Sequence, residues 1–102
     1  MVKVIWTEPA AVQFESILDF IGLDKPDAAR TVAARIFNAV EHLERHVRLG
    51  RSIPEFPHPS FRQVWIKPSW LYYRLSKGTI HIVHVRRGKK PLLITDLINE
   101  DA

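Results

Sequence analysis

Arg62, Arg74, Arg86, Arg87, Lys89 and Lys90 are interleaved with Trp65, Trp70, Tyr72 and Tyr73 in the second half of this chain. Cations beside aromatic rings do one of two kinds of chemistry. They bind an anionic surface through charge and stacking. With a base and an acid at hand, they stabilise the phosphorane charge that forms when an RNA 2′-OH attacks its own phosphodiester. The charge is concentrated: Arg45 to Pro91 holds eleven Lys and Arg against one acid, Glu55. Residues 1–44 hold four bases and seven acids, and residues 92–102 three acids and no base. The overall charge of +4 thus hides a middle segment at +10, which marks one surface built to meet something anionic. Nucleic acid, a nucleic-acid-bound enzyme and an acidic protein all fit.

Other side chains offer less. His42 and His46 stand at i, i+4, a spacing that can hold zinc, but no Glu accompanies them in the metalloprotease order. Near a helix C-terminus they suit the dipole instead, so neither a metal nor another cofactor is expected. His81 and His84, at i, i+3 on a strand, are expected on opposite faces and so cannot form an acid–base pair. Arg51 and Glu55 are expected to pair and pin the loop between them. Arg62 is either solvated, tied to Glu55 or in contact with a target. The cluster Arg86, Arg87, Lys89 and Lys90 around Gly88 is read as a binding cluster rather than a solvated strand edge. The chain has no Cys, hence no disulfide or thiolate site. It has no apolar run near the roughly 20 residues of a membrane span, and its N-terminus lacks a signal-peptide layout. A cytoplasmic protein without a membrane partner is expected.

The elements that must position these residues are readable. The 102 residues suit one domain, 1–102. Val2 to Trp6 reads as a strand. Thr7 caps a helix with Pro9 in its first turn, and Ala11, Phe14, Ile17, Leu18 and Ile21 give it an apolar face. Gly22 is expected to end it. Asp24 is expected to cap a second helix, with Pro26 in its first turn and a stripe of Ala29, Val32, Ile36, Val40, Leu43 and Val47; Gly50 is expected to end it. The two helices form an antiparallel hairpin. After a Pro-rich loop come strands at Phe61 to Ile66, Trp70 to Ser76, Thr79 to Arg87 and Leu92 to Leu97. Lys67-Pro68-Ser69 and the tight pair Lys77-Gly78 are the turns.

The tight turn predicts a register. With Ser76 opposite Thr79, Leu75 faces Ile80 and Tyr73 faces Ile82, an apolar face for the hairpin. The other face then shows Trp70, Tyr72, Arg74, His81, Val83, Val85 and Arg87, the inferred binding surface. The fold expected is α+β, a helical hairpin packed on a mainly antiparallel sheet.

This order resembles the RelE/ParE superfamily of toxins from bacterial toxin–antitoxin pairs, over nearly the whole chain. The residues carrying the resemblance are Trp6-Thr7 with Ala10, Pro26 with Ala28-Ala29-Arg30, Leu49-Gly50-Arg51 with Glu55, Arg62, Tyr73-Arg74, and Val85-Arg86-Arg87-Gly88-Lys89-Lys90. The resemblance implies a toxin neutralised by a co-expressed antitoxin. RelE-like members cut messenger RNA on the ribosome; ParE-like members inhibit DNA gyrase by binding. Of the RelE-like catalytic set, Arg62 matches the first place and Arg86 or Arg87 a later one. Val64 and Trp70 fall where further cations belong, and the C-terminus supplies no Tyr, His or Lys. This departure favours the ParE-like branch, with the ribosome-dependent messenger endonuclease as runner-up. The implied partners are a ParD-like, ribbon-helix-helix antitoxin docking on the helix-one stripe at Phe14, Leu18 and Ile21, and a target met by Arg62, Trp70, Arg74, Arg86, Arg87, Lys89 and Lys90.

Overall fold

Thr7 joins the two layers of the molecule. Its hydroxyl accepts the Ala10 N–H at 3.4 Å as the helix cap and donates to the Ile82 carbonyl at 2.9 Å, tying the first helix to the sheet. The computed structural model describes residues 2–88 and 91–98. Its elements are β1 (Lys3–Trp6), α1 (Glu8–Asp24), α2 (Pro26–Arg45), β2 (Phe61–Ile66), β3 (Ser69–Ser76), β4 (Thr79–Arg87) and α3 (Ile94–Ile98). The strands form one sheet in the order β1-β4-β3-β2, antiparallel except for the parallel β1–β4 pair.

The α1–α2 hairpin covers one face. Ala10, Phe14, Ile17, Val32, Ile36, Val40 and Leu43 bury against Leu71, Tyr73, Ile80 and Ile82, each apolar side chain contributing about 1.5–3 kcal/mol. Lys77 and Gly78 have φ of 48° and 77°, the left-handed pair of a two-residue hairpin turn. Leu75 therefore opposes Ile80 and Tyr73 opposes Ile82, as the sequence predicts. The opposite face carries a second cluster of Ile53, Phe61, Tyr72, Val83 and Leu97.

Four local expectations are corrected. Gly22 lies inside α1, facing Ala29 across the hairpin, where an added Cβ would make an ordinary contact of 3.6 Å. Asp24 is the last residue of α1 rather than the cap of α2. The Lys25 N–H closes α1 on the Ile21 carbonyl while its own carbonyl accepts from Ala28 and Ala29 to start α2, so the junction needs neither a glycine nor a side-chain cap. Helix α2 ends at Arg45, before Gly50. The Leu92–Leu97 segment is a strand by composition, yet Ile94–Ile98 is helical. Asp96 accepts the Leu93 N–H at 2.9 Å, and Leu97 fills the second cluster. Short apolar runs carry no periodicity that separates the two states.

Gly50 has a packing role instead. Its N–H donates to the Tyr73 hydroxyl at 2.8 Å, and that hydroxyl donates to the Val47 carbonyl at 2.9 Å. A Cβ on Gly50 would stand 2.7 Å from the hydroxyl and 2.8 Å from the Gln63 backbone oxygen, so no other residue fits. Burial raises the Tyr73 phenol above its ordinary 10.0, against the opposing pull of the Gly50 N–H and the Arg62 charge. A phenol that keeps its proton more tightly when folded contributes stability below that value. The contribution is lost as pH rises past it, where the unfolded chain releases its proton first. Tyr73→Phe strands the Gly50 N–H and the Val47 carbonyl, and is expected to lower stability by about 1–3 kcal/mol at neutral pH. It should also reduce the alkaline loss. Urea midpoints of both proteins at neutral and strongly alkaline pH measure the two effects; equal midpoints at neutral pH would show that this contact contributes nothing.

Candidate target-binding surface

One β-bulge sorts the cations. Tyr73 opposes Ile82 but Tyr72 opposes His84, so Val83 is an extra residue in β4. The side-chain alternation resets there. Val85 turns into the helix-covered core, and Arg86 takes the outer face opposite Trp70. Arg87 returns to the helical side, its guanidinium 4.4 Å from the centre of the Phe20 ring. Val85 and Arg87, expected on the outer face, are therefore not there. His81 and His84, expected on opposite faces, share the outer one. His84 is buried with its Nε2 3.7 Å from the Asp96 carboxylate, and it lies against Tyr72. Among the described residues no group of three or more His, Cys, Asp or Glu could hold a metal.

The remaining candidates separate further. Arg62 pairs with Tyr73 across the strands, which puts it on the helical side, and its guanidinium donates to the Gly50 carbonyl at 2.7 Å. It is neither on the outer face nor tied to Glu55. Arg51 and Glu55 form no ion pair among the described residues; Arg51 instead exchanges two backbone hydrogen bonds of 2.8 Å with Gln63. Arg74 is half-buried on the outer face, opposite Phe61 and His81. Trp70 is on that face opposite Trp65, ring centres 5.2 Å apart. Arg86 is held inward: its Nε donates to the Tyr72 hydroxyl at 2.9 Å and its Nη1 to the Gly88 carbonyl at 3.2 Å. Burial raises the Tyr72 phenol and the Arg86 contact opposes the rise. Lys89 and Lys90 lie outside the described residues.

The helical stripe also needs correcting. Phe14 is buried, stacked on Trp6 at 5.2 Å and edge-on to Phe37 at 5.5 Å, so it is core and not a docking residue. Leu18 and Ile21 are half-buried, and the open apolar side chains of the hairpin are Val12, Phe20, Leu23 and Phe37.

Sequence reasoning missed a cleft of about 680 Å³ between the β2 edge and the loop leading into it. Leu49, Arg51, Gln63, Val64, Trp65, Trp70 and Gly88 line it. A signal for it exists. With Lys67-Pro68 as a two-residue turn, Ile66 opposes Ser69 and Trp65 must oppose Trp70. The longer turn expected from the sequence hides that pairing.

A sequence model of the ParE toxin of type II toxin–antitoxin systems (parDE) matches residues 4–92. The chain is 29% identical to Toxin RelE2 of Caulobacter vibrioides over 91 residues, 88% of this chain and 99% of that protein. Its fold is similar to that of a chain from the chromosomal ParDE toxin–antitoxin system of P. aeruginosa, with a TM-score of 0.71 at 23% identity. That likeness covers 85% of this chain and 96% of the other.

The two arginines at the end of β4 should behave differently. Arg86→Ala leaves the buried Tyr72 hydroxyl without its donor and is expected to cost about 1–3 kcal/mol. Arg87→Gln, at an exposed position, should stay within about 0.5 kcal/mol. Thermal unfolding of the two variants measures this; equal losses would show that Arg86 is not structural.

Proposed function

We propose a mode of action for this chain, which belongs to the ParE toxin family of type II toxin–antitoxin systems: it poisons DNA gyrase by binding and cuts no RNA. The observation that carries this reading is the fate of the cations and bases that cleavage would need. Arg62 holds the Gly50 carbonyl on the helical side, Arg86 holds Tyr72, and Arg87 lies over Phe20. The middle of the outer face is filled by Ile53, Phe61, Tyr72, Val83 and Leu97, and His84 is buried there. A base, an acid and cations converging on one phosphate are not assembled among the described residues. What stays exposed is the charge of Arg51, Lys67 and Arg87 and the ring of Trp65, which suits binding a macromolecule.

Membership of the family implies an antitoxin partner. In this reading that partner is ParD-like, a ribbon-helix-helix protein whose apolar segment lies on the α1 stripe at Leu18 and Ile21 and covers Phe20 and Leu23. Leu23 is 86% exposed and Phe20 57%, so both are open to such a segment. No described helix is long and apolar enough to cross a membrane. Action on gyrase places the toxin in the cytoplasm.

Induced without its antitoxin, the protein should stop growth, evoke the DNA-damage response and inhibit supercoiling by purified gyrase, with messenger RNA left whole. Ribosome-dependent cuts in primer extension, with supercoiling unaffected, would establish the endonuclease reading instead. Complex formation should raise the melting temperature by mass action. Leu23→Glu should weaken neutralisation about tenfold or more, since a charge then sits in an apolar contact. An antitoxin that protects cells equally well from this variant would move the docking surface elsewhere.

A further inference from the structure

The cleft beside β2 is separate from the α1 surface at Leu18 and Ile21, and its walls have a chemistry of their own. The Trp65 and Trp70 rings pack against each other, tilted by 56° with centres 5.2 Å apart, and Trp65 is 47% exposed. Gly88 lets the Trp65 indole lie against the chain at the end of β4, because a Cβ there would come within 3.1 Å of its Cη2. The rim is cationic: Arg51 is exposed with no ion pair among the described residues, and Arg48 and Lys67 are exposed in the adjoining loop and turn.

The backbone adds a third feature. Gln63 exchanges both its hydrogen bonds with Arg51, so its N–H and C=O point away from β3. Strand alternation then points the N–H and C=O of Trp65 the same way, off the free edge of the sheet. No described residue pairs with them. The open stretch is one residue long, since Arg51 occupies the edge at Gln63 and the Phe61 N–H donates to the His58 carbonyl. One donor and one acceptor are too few to dock a peptide strand, but they match the hydrogen-bonding edge of a planar heterocycle. The volume of about 680 Å³ lies in the range of small-ligand sites.

We propose that this cleft binds a nucleobase together with its phosphate. The base stacks on the exposed Trp65 indole, which Trp70 braces, its edge meets the Trp65 backbone and the Gln63 amide, and the phosphate meets Arg51. Such a group comes from two sources, a free nucleotide or an unpaired base in a single strand.

Titration of the purified toxin, followed by indole fluorescence and calorimetry, tests this with AMP, adenosine, inorganic phosphate, a short single-stranded oligoadenylate and an acidic peptide. Saturable quenching by AMP is expected, with adenosine weaker because it lacks the phosphate. Trp65→Leu should weaken binding about tenfold or more, in line with base–aromatic stacking. Arg51→Gln should remove the preference for AMP over adenosine and flatten the dependence on salt. An oligoadenylate that binds far more tightly than AMP identifies a single strand as the source; equal affinities identify the free nucleotide. Absence of saturable binding at millimolar AMP and oligoadenylate overturns the proposal. Binding that both substitutions leave unchanged, or binding of the acidic peptide alone, overturns it equally. The readout involves neither gyrase nor growth, so the outcome is independent of the toxin's target.

Discussion

The hydroxyl of Tyr73 stands where the helical hairpin, the loop after it and the sheet converge. It gives its proton to the Val47 carbonyl just past α2 and takes the Gly50 N–H three residues on. Gly50 in turn accepts from Arg62 of β2, and the next residue, Arg51, pairs with Gln63. A buried phenol thus positions the start of a loop that no regular element holds. That loop then delivers Ile53 to the outer face and Leu49 and Arg51 to the β2 edge. Removing one partner of this network leaves buried polar groups without bonds, and their desolvation outweighs the modest net value of any single hydrogen bond.

The second constraint is the extra residue at Val83. Without it, strict alternation would put Val85 and Arg87 outside and Arg86 inside. With it, the run Arg86-Arg87 divides between two environments: one guanidinium braces a buried tyrosine, the other lies on an exposed phenylalanine of α1. A cluster that is uniform in sequence is therefore not uniform in role. Its charge serves internal packing at one residue and faces solvent at the next.

Much of the fold was legible because local chemistry and long-range packing agree there. Thr7 before Pro9, the apolar stripe from Val32 to Leu43 and the Lys77-Gly78 turn each have one low-energy reading, and the structure adopts it. Legibility failed where a residue has two physical uses. Gly22 and Gly50 read as helix ends because glycine tolerates left-handed backbone; Gly50 is instead required because the Tyr73 hydroxyl and the Gln63 carbonyl come too close for a side chain, while a Cβ at Gly22 would make only an ordinary contact with Ala29. Leu92–Leu97 had a strand's composition and a helix's capping acid in Asp96. For the candidate site, the charge concentration was readable but the faces were not, since a bulge has no local sequence signature. Arg62 reads as solvated, tied to Glu55 or in contact with a target, and only the fold reveals that its partner is a backbone carbonyl.

Strand β1 has its partner at the far end of the sequence: Lys3 to Trp6 align with Thr79 to Ile82, and the Thr7 hydroxyl reaches across 75 positions to the Ile82 carbonyl. During synthesis the N-terminal strand has no sheet partner until β4 has emerged, although Thr7 can already cap the first helix at Ala10. One of the two interior strands of the sheet is thus the last strand to be made. A chain made only as far as the residues before Thr79 lacks the strand that joins β1 to β3, so neither the sheet nor the floor under the helical hairpin is complete until β4 is in place.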